Sequence, residues 1–397
     1  MIFPRILIFI PCFTHGGAEK QGMILAKALK KHGYDVHVWA FPPIKSISPF
    51  NTEELTNEGI SCFQYPLWPK YKWGFAEKPW SLRKMLSYYH SWYRPLNQIK
   101  KITPNQIFDV IIPFTVPACM LSVLLKKQLK AKSVIWNHRG GNDNAGFNYS
   151  PFIIKRILEV EPVFMANSSG GADFLSRIFN KPTDHVKIIN NVYLPDSADK
   201  NMKKAALSPQ QTVELLQLAN FFPEKDWETL VEGMAVLKKR NFQTHFHLVG
   251  AFINDIEKKR FNDKVLALGV DETITHYESM SKKEITERFN GKIHIGVLSS
   301  KTEGMPNAVM EYMYWKLPVI GTDIPGIRDL LGESQNECLF KVGDAAGFAD
   351  KVQWIIADQK RFEGIGNQNH QRITENFAVE KIIPKWLDLI NASINND

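Results

Sequence analysis

At 397 residues the chain is too long for one ordinary domain and suits two of roughly 150–200 residues each. Its 44% hydrophobic and 23% charged residues exclude a disordered or fibrous chain, and four scattered cysteines without a C-x-x-C pair exclude a zinc ribbon or disulfide framework and fit a reducing compartment. The net charge of +8 is uneven: residues 1–205 hold 27 Lys and Arg against 14 Asp and Glu, the remainder 22 against 27, so an anionic partner is expected for the first half.

In chain order, the apolar run Ile6–Ile10, flanked by Pro4, Arg5 and a glycine-rich turn, predicts a buried first strand and not a signal peptide. Residues 18–31 follow with apolar positions near helical spacing, and Gly33 suits the left-handed position that ends such a helix. DVHVWAF predicts the next strand, and further buried strands are expected at FDVIIPF, KSVIWNH, VFMANSS and VKIINN. Residues 195–212 are polar and lysine-rich and read as a linker. The alternation then restarts at VELLQLANF, THFHLVGAF, ETITHYES, IHIGVLSS and LPVIGTD, which predicts a second parallel α/β domain. No stretch approaches the roughly 20 apolar residues of a membrane-spanning helix, so a cytoplasmic chain, peripheral on the inner membrane face, is expected.

The segment 293–331 carries the chemistry. Glu303 follows a predicted strand end, where open α/β sheets bind ligands, and Gly304 lets backbone approach a ligand closely. The amides from Asn307 onward open a helix, whose N-terminus suits a diphosphate. Glu311 lies further along that helix, and its carboxylate can accept two hydroxyls, as a ribose diol offers. The N-terminal loop lacks G-x-G-x-x-G, which gives a nicotinamide site little support. There is no D-x-D pair, and His245 and His247 share a strand face without an obvious third ligand, so no metal and no cofactor are expected. The segment 67–101 sets nine aromatic and eight basic residues, among them Lys70, Lys72, Arg83 and Lys84, against the single acid Glu77. Aromatic rings with basic residues favour an anionic membrane surface, and no nucleic-acid module accompanies them; the alternative is a packed lid.

Glu303, seven residues, Glu311, then Leu317-Pro318-Val319-Ile320, Asp323 and Gly326 resemble the E-x7-E signature of the family-4 retaining glycosyltransferases of the GT-B fold. The resemblance extends to the glycine loop Thr14-His15-Gly16-Gly17-Ala18-Glu19, to Ala166-Asn167-Ser168, to Ile189-Asn190-Asn191-Val192, and to a donor-phosphate loop around Lys225. That loop commonly has an arginine before its lysine; here Asn220 stands in its place. The resemblance implies two Rossmann-like domains facing across a cleft: residues 1–205 on the acceptor side, 206–375 binding a UDP- or GDP-linked sugar, and 376–397 a helix packing back on the first. It places Gly16, Gly17, Lys225, Gly304, Met305, Pro306, Asn307, Ala308 and Glu311 at the donor, with Glu303 catalytic. His138 is either a second catalytic group or a structural histidine, with Arg139 beside it on the acceptor side. The implied activity is retaining sugar transfer to a glycan or polyprenyl-phosphate-linked acceptor, in polysaccharide or glycolipid synthesis. The rivals are a nucleotide-sugar epimerase on the same fold and a catalytically silent sugar- or lipid-binding protein.

Overall fold

The computed structural model describes residues 3–13, 16–41, 52–64, 106–141, 149, 151–208 and 211–395. The expected membrane-facing residues Lys70, Lys72, Arg83 and Lys84, with Thr14 and His15 of the glycine loop, lie outside them. The chain divides into two compact units, Met1–Val192 with Glu380–Asp397, and Tyr193–Val379.

Among the described residues the first unit holds a seven-stranded sheet: β1 (Arg5–Cys12), β2 (Asp35–Phe41), β3 (Ser61–Gln64), β4 (Val110–Pro113), β5 (Ser133–His138), β6 (Val163–Ala166) and β7 (Lys187–Ile188). Its order is β3-β2-β1-β4-β5-β6-β7, with every pairing parallel. The central strands read as unbroken apolar runs because helices cover both faces of such a sheet; Ile6 to Ile10 are wholly buried. The helix Gly17–Lys31 ends where expected, with Gly33 at a φ of 89° just past its cap. The C-terminal helix Val379–Asn395 adds to this unit, and Tyr34 Oη donates to Asn391 Oδ1 at 3.0 Å.

The second unit repeats the plan with β8 (Val213–Leu218), β9 (Thr244–Val249), β10 (Ile274–Tyr277), β11 (Ile295–Leu298), β12 (Val319–Thr322) and β13 (Leu339–Phe340). The order is β10-β9-β8-β11-β12-β13, again all parallel. In both sheets strand order reverses beside the unit's first strand, at β1/β4 and at β8/β11, and the crevice beyond these strand ends is where such sheets take ligands. Each unit is Rossmann-like.

The division falls at 192/193 and not at 205/206, and residues 195–208 are no simple linker. Ser197–Asn201 form a helix closed by a capping box between Asp196 and Asp199. Met202 and Ala205 are buried, and Ala205 N donates to Ile293 O at 2.8 Å, so the lysine-rich stretch is one face of a segment seated on the second unit. The short strands β3 and β13 escaped the sequence reading, being four and two residues long without clear apolar alternation.

Candidate active site

The loops leaving β8 and β11 are stitched together. Lys225 and Ser300 form an antiparallel bridge, Lys301 N donates to Glu224 O at 2.8 Å, and Asp226 N donates to Ser299 O at 3.1 Å. The buried Asp226 carboxylate ties the join, accepting from Thr229 Oγ1 at 2.6 Å, Ser299 Oγ at 3.2 Å and Gly343 N at 3.3 Å. The sequence does not single out Asp226, because its linking role depends on contacts remote in the chain.

This join brings Lys225 against Glu303. The ammonium pairs with Glu303 Oε1, which also accepts from Ser300 Oγ at 2.8 Å. Both side chains are about 15% exposed, so Lys225 is no solvated surface lysine. Asn220, at the position of the expected arginine, accepts from Ala251 N at 3.0 Å and so holds the turn after β9.

Met305 is buried, and Pro306 leads into the helix Asn307–Tyr314 without a side-chain cap, so this N-terminus has its positive end toward the Glu303–Gly304 loop. Gly326 lies against that loop: a Cβ built there would meet Gly304 O at 2.1 Å and Glu303 O at 2.6 Å. Tyr312 anchors the helix from below, accepting from Leu218 N at 2.5 Å, and a Cβ on Gly296 would lie 2.4 Å from its ring. Ala308 is half-buried on the first turn, and Glu311 pairs with Lys282 at 3.2 Å.

Residues 198–372 match the family model described as glycosyl transferases group 1. That match lies wholly within the second unit. The chain is similar to the N-acetyl-alpha-D-glucosaminyl L-malate synthase of Bacillus anthracis, at 21% identity over 96% of each protein. Among solved structures, Anabaena Alr3699/HepE in complex with UDP and glucose aligns with a TM-score of 0.71 at 14% identity, covering 98% of this chain and 100% of that one. The lipopolysaccharide outer core galactosyltransferase WaaB aligns with a TM-score of 0.68 at 16% identity, covering 98% and 99%. These likenesses establish the GT-B fold.

The candidate residues of the first unit sit at strand ends of its own sheet. Gly16 caps the helix after β1, where a Cβ would meet the Glu19 carboxylate at 2.2 Å. Gly17 begins the helix. Glu19 is itself buried; burial raises its pKa, outweighing hydrogen bonds from its own backbone and from Cys12. His138 is buried, its ring stacked on Phe174 at 4.9 Å and its Nε2 3.2 Å from Gly141 O. Arg139 donates to Asn191 Oδ1 and lies over the Phe114 ring at 5.0 Å. Desolvation brings its guanidinium pKa down to about 9.

His245 and His247 do share a face, their rings 4.8 Å apart, but they bond to neighbouring strands. His245 Nε2 meets Thr275 Oγ1 and His247 Nε2 meets Glu214 Oε2, each at 2.8 Å. Among the described residues no three His, Cys, Asp or Glu side chains group as metal ligands, and no helix is long and apolar enough to cross a membrane.

Proposed function

We propose that this protein is a retaining, metal-independent glycosyltransferase of the family-4 kind, moving a sugar from a UDP- or GDP-linked donor to a glycan or polyprenyl-phosphate-linked acceptor in polysaccharide or glycolipid synthesis. The observation that carries the reading is the pairing of Lys225 with Glu303 at the β8/β11 switch point, beside the N-terminus of the helix that bears Glu311. The named relatives support the class of chemistry: one is an N-acetyl-alpha-D-glucosaminyl L-malate synthase, one was solved with UDP and glucose, and one is a lipopolysaccharide outer core galactosyltransferase.

In this reading the diphosphate takes Lys225 from Glu303, as a dianionic group outcompetes one carboxylate for the ammonium, and its oxygens meet the amides of the Asn307–Tyr314 helix. The Gly304–Ala308 backbone, including Met305, Pro306 and Asn307, shapes that contact. Released from Lys225, Glu303 holds hydroxyls of the sugar, and Glu311 accepts those of the ribose. The bond from the anomeric carbon to the diphosphate oxygen then breaks. The acceptor oxygen bonds to the same face of that carbon, and its proton passes to the leaving diphosphate. The enzyme contributes by orienting the sugar and stabilising charge on the leaving group. Gly16 and Gly17 count among the donor contacts, Arg139 belongs to the acceptor side, where its guanidinium suits a phosphate, and His138 serves as a second catalytic group.

The test is product analysis. Purified protein is incubated with UDP-glucose, UDP-N-acetylglucosamine, UDP-galactose or GDP-mannose and a membrane extract, with and without EDTA, and products are followed by mass spectrometry and anomeric NMR. One donor should give an acceptor adduct of retained configuration that survives EDTA, and Glu303→Gln should lower the rate at least about 100-fold while leaving the melting curve in place. An altered nucleotide sugar formed without acceptor would make the chain an epimerase, and donor binding without turnover a silent binder. Loss with EDTA restored by magnesium would refute metal independence.

A further inference from the structure

Glu311 is held by a device that the E-x7-E pattern does not contain. Ser281 and Glu284 form a reciprocal capping box that starts the helix Lys282–Phe289 at Lys282. A cation in the first turn of a helix opposes the helix dipole, so the position needs compensation. The neighbouring Lys283 points outward, 83% exposed and 3.8 Å from Glu287 one turn on, whereas Lys282 turns inward and is 22% exposed. Its ammonium lies 2.6 Å from Asp199 Oδ2, 3.2 Å from Glu311 Oε1 and 3.4 Å from Asp196 Oδ2.

Asp199 is the fixed point of this cluster. Its side chain has no exposed surface, and besides Lys282 it accepts from Trp315 Nε1 at 3.0 Å and from Asp196 N at 3.1 Å. Trp315 caps the helix that bears Glu311, one turn further on. One buried carboxylate therefore fixes both the ammonium and the helix on which its partner stands. Burial works to lower the Lys282 pKa, but Glu311, Asp199 and Asp196 hold it above the ordinary lysine value.

We infer that Lys282, anchored by Asp199, is a positioning residue that holds the Glu311 carboxylate in the orientation in which it accepts the ribose hydroxyls of the donor nucleotide. The inference rests on the reading of Glu311 as the ribose contact. Three carboxylates converge on one ammonium, and without it Glu311 would be repelled by Asp196 and Asp199 and would turn toward water. A carboxylate has about four lone-pair sites, so a single ammonium contact is compatible with accepting a diol. A lysine that merely clamped two helices together would affect stability, but not the choice between ribose and deoxyribose.

The full chain is titrated by calorimetry with UDP and GDP, each beside its 2′-deoxy analogue, and the tighter ribonucleotide serves for the variants. Wild type should prefer the ribonucleotide about fivefold or more, and Glu311→Gln should bring the two within twofold. Lys282→Met should do the same while weakening ribonucleotide binding about tenfold, with Lys282→Arg restoring most of the loss. In the Glu311→Gln background, Lys282→Met should change binding less than twofold, because the carboxylate it positions is gone. A Lys282→Met protein that keeps the ribose preference overturns the inference, as does an equal loss in both backgrounds, which is also the outcome of a plain folding defect. A preference that survives Glu311→Gln removes the ribose reading itself, and that result is distinct from the other two.

Discussion

At the scale of the residue, burial decided what residue type left open. Lys225 could have been a solvated lysine, and only the join between two loops turns it onto Glu303. Glu19 is the converse case: its position in the first turn after a glycine loop was legible, its burial beneath Gly16 was not. Because its folded pKa is raised, Glu19 favours folding fully below the ordinary glutamate value of 4.5, and this contribution is lost as pH rises through the folded value. Glu19→Gln should therefore raise the melting temperature at pH 7.5, by about 2–4 °C per kcal/mol recovered, with the gain shrinking toward pH 4. A melting-point difference that grows as pH falls would show that the charged form is the stabilised one.

At the scale of the element, strands and long helices followed from apolar runs, because a doubly wound sheet buries its central strands on both faces. The contacts between elements did not follow. Gly326 entered only as part of the signature, yet it lies in the first turn of the helix Pro325–Leu331, tight against the carbonyls of Glu303 and Gly304. A side chain there must displace backbone and not a flexible neighbour. Gly326→Ala should cost about 1–3 kcal/mol of second-unit stability, visible as a lower melting temperature, and cut transfer at least tenfold. Wild-type turnover in a stable Gly326→Ala protein would mean that the Glu303 loop tolerates a shift of this size and is not the catalytic loop.

At the scale of the whole molecule, charge is segregated along the chain. The first 205 residues carry the positive excess, and eight of its basic residues fall with nine aromatics in residues 67–101. Each basic side chain near an anionic surface gains about 1 kcal/mol, and the aromatic rings add burial that salt does not screen. Wild-type protein should sediment with vesicles containing phosphatidylserine at low salt, less so at high salt. Replacing Lys70, Lys72, Lys78, Arg83 and Lys84 by glutamine should reduce that binding while sparing transfer to a short water-soluble acceptor. Protein that ignores such vesicles at low salt would make the segment a packed lid.

The sequence by itself determined the two parallel sheets, the placement of Glu303 after a strand and Glu311 on the following helix, because periodicity and glycine turns are local properties of the chain. Only the tertiary structure decided where one unit ends, because Met202 and Ala205 declare themselves by what they pack against. It alone brought Lys282 and Asp199, 83 residues apart, to one carboxylate cluster, since ion pairs between distant segments follow from sheet order and leave no periodic trace in sequence.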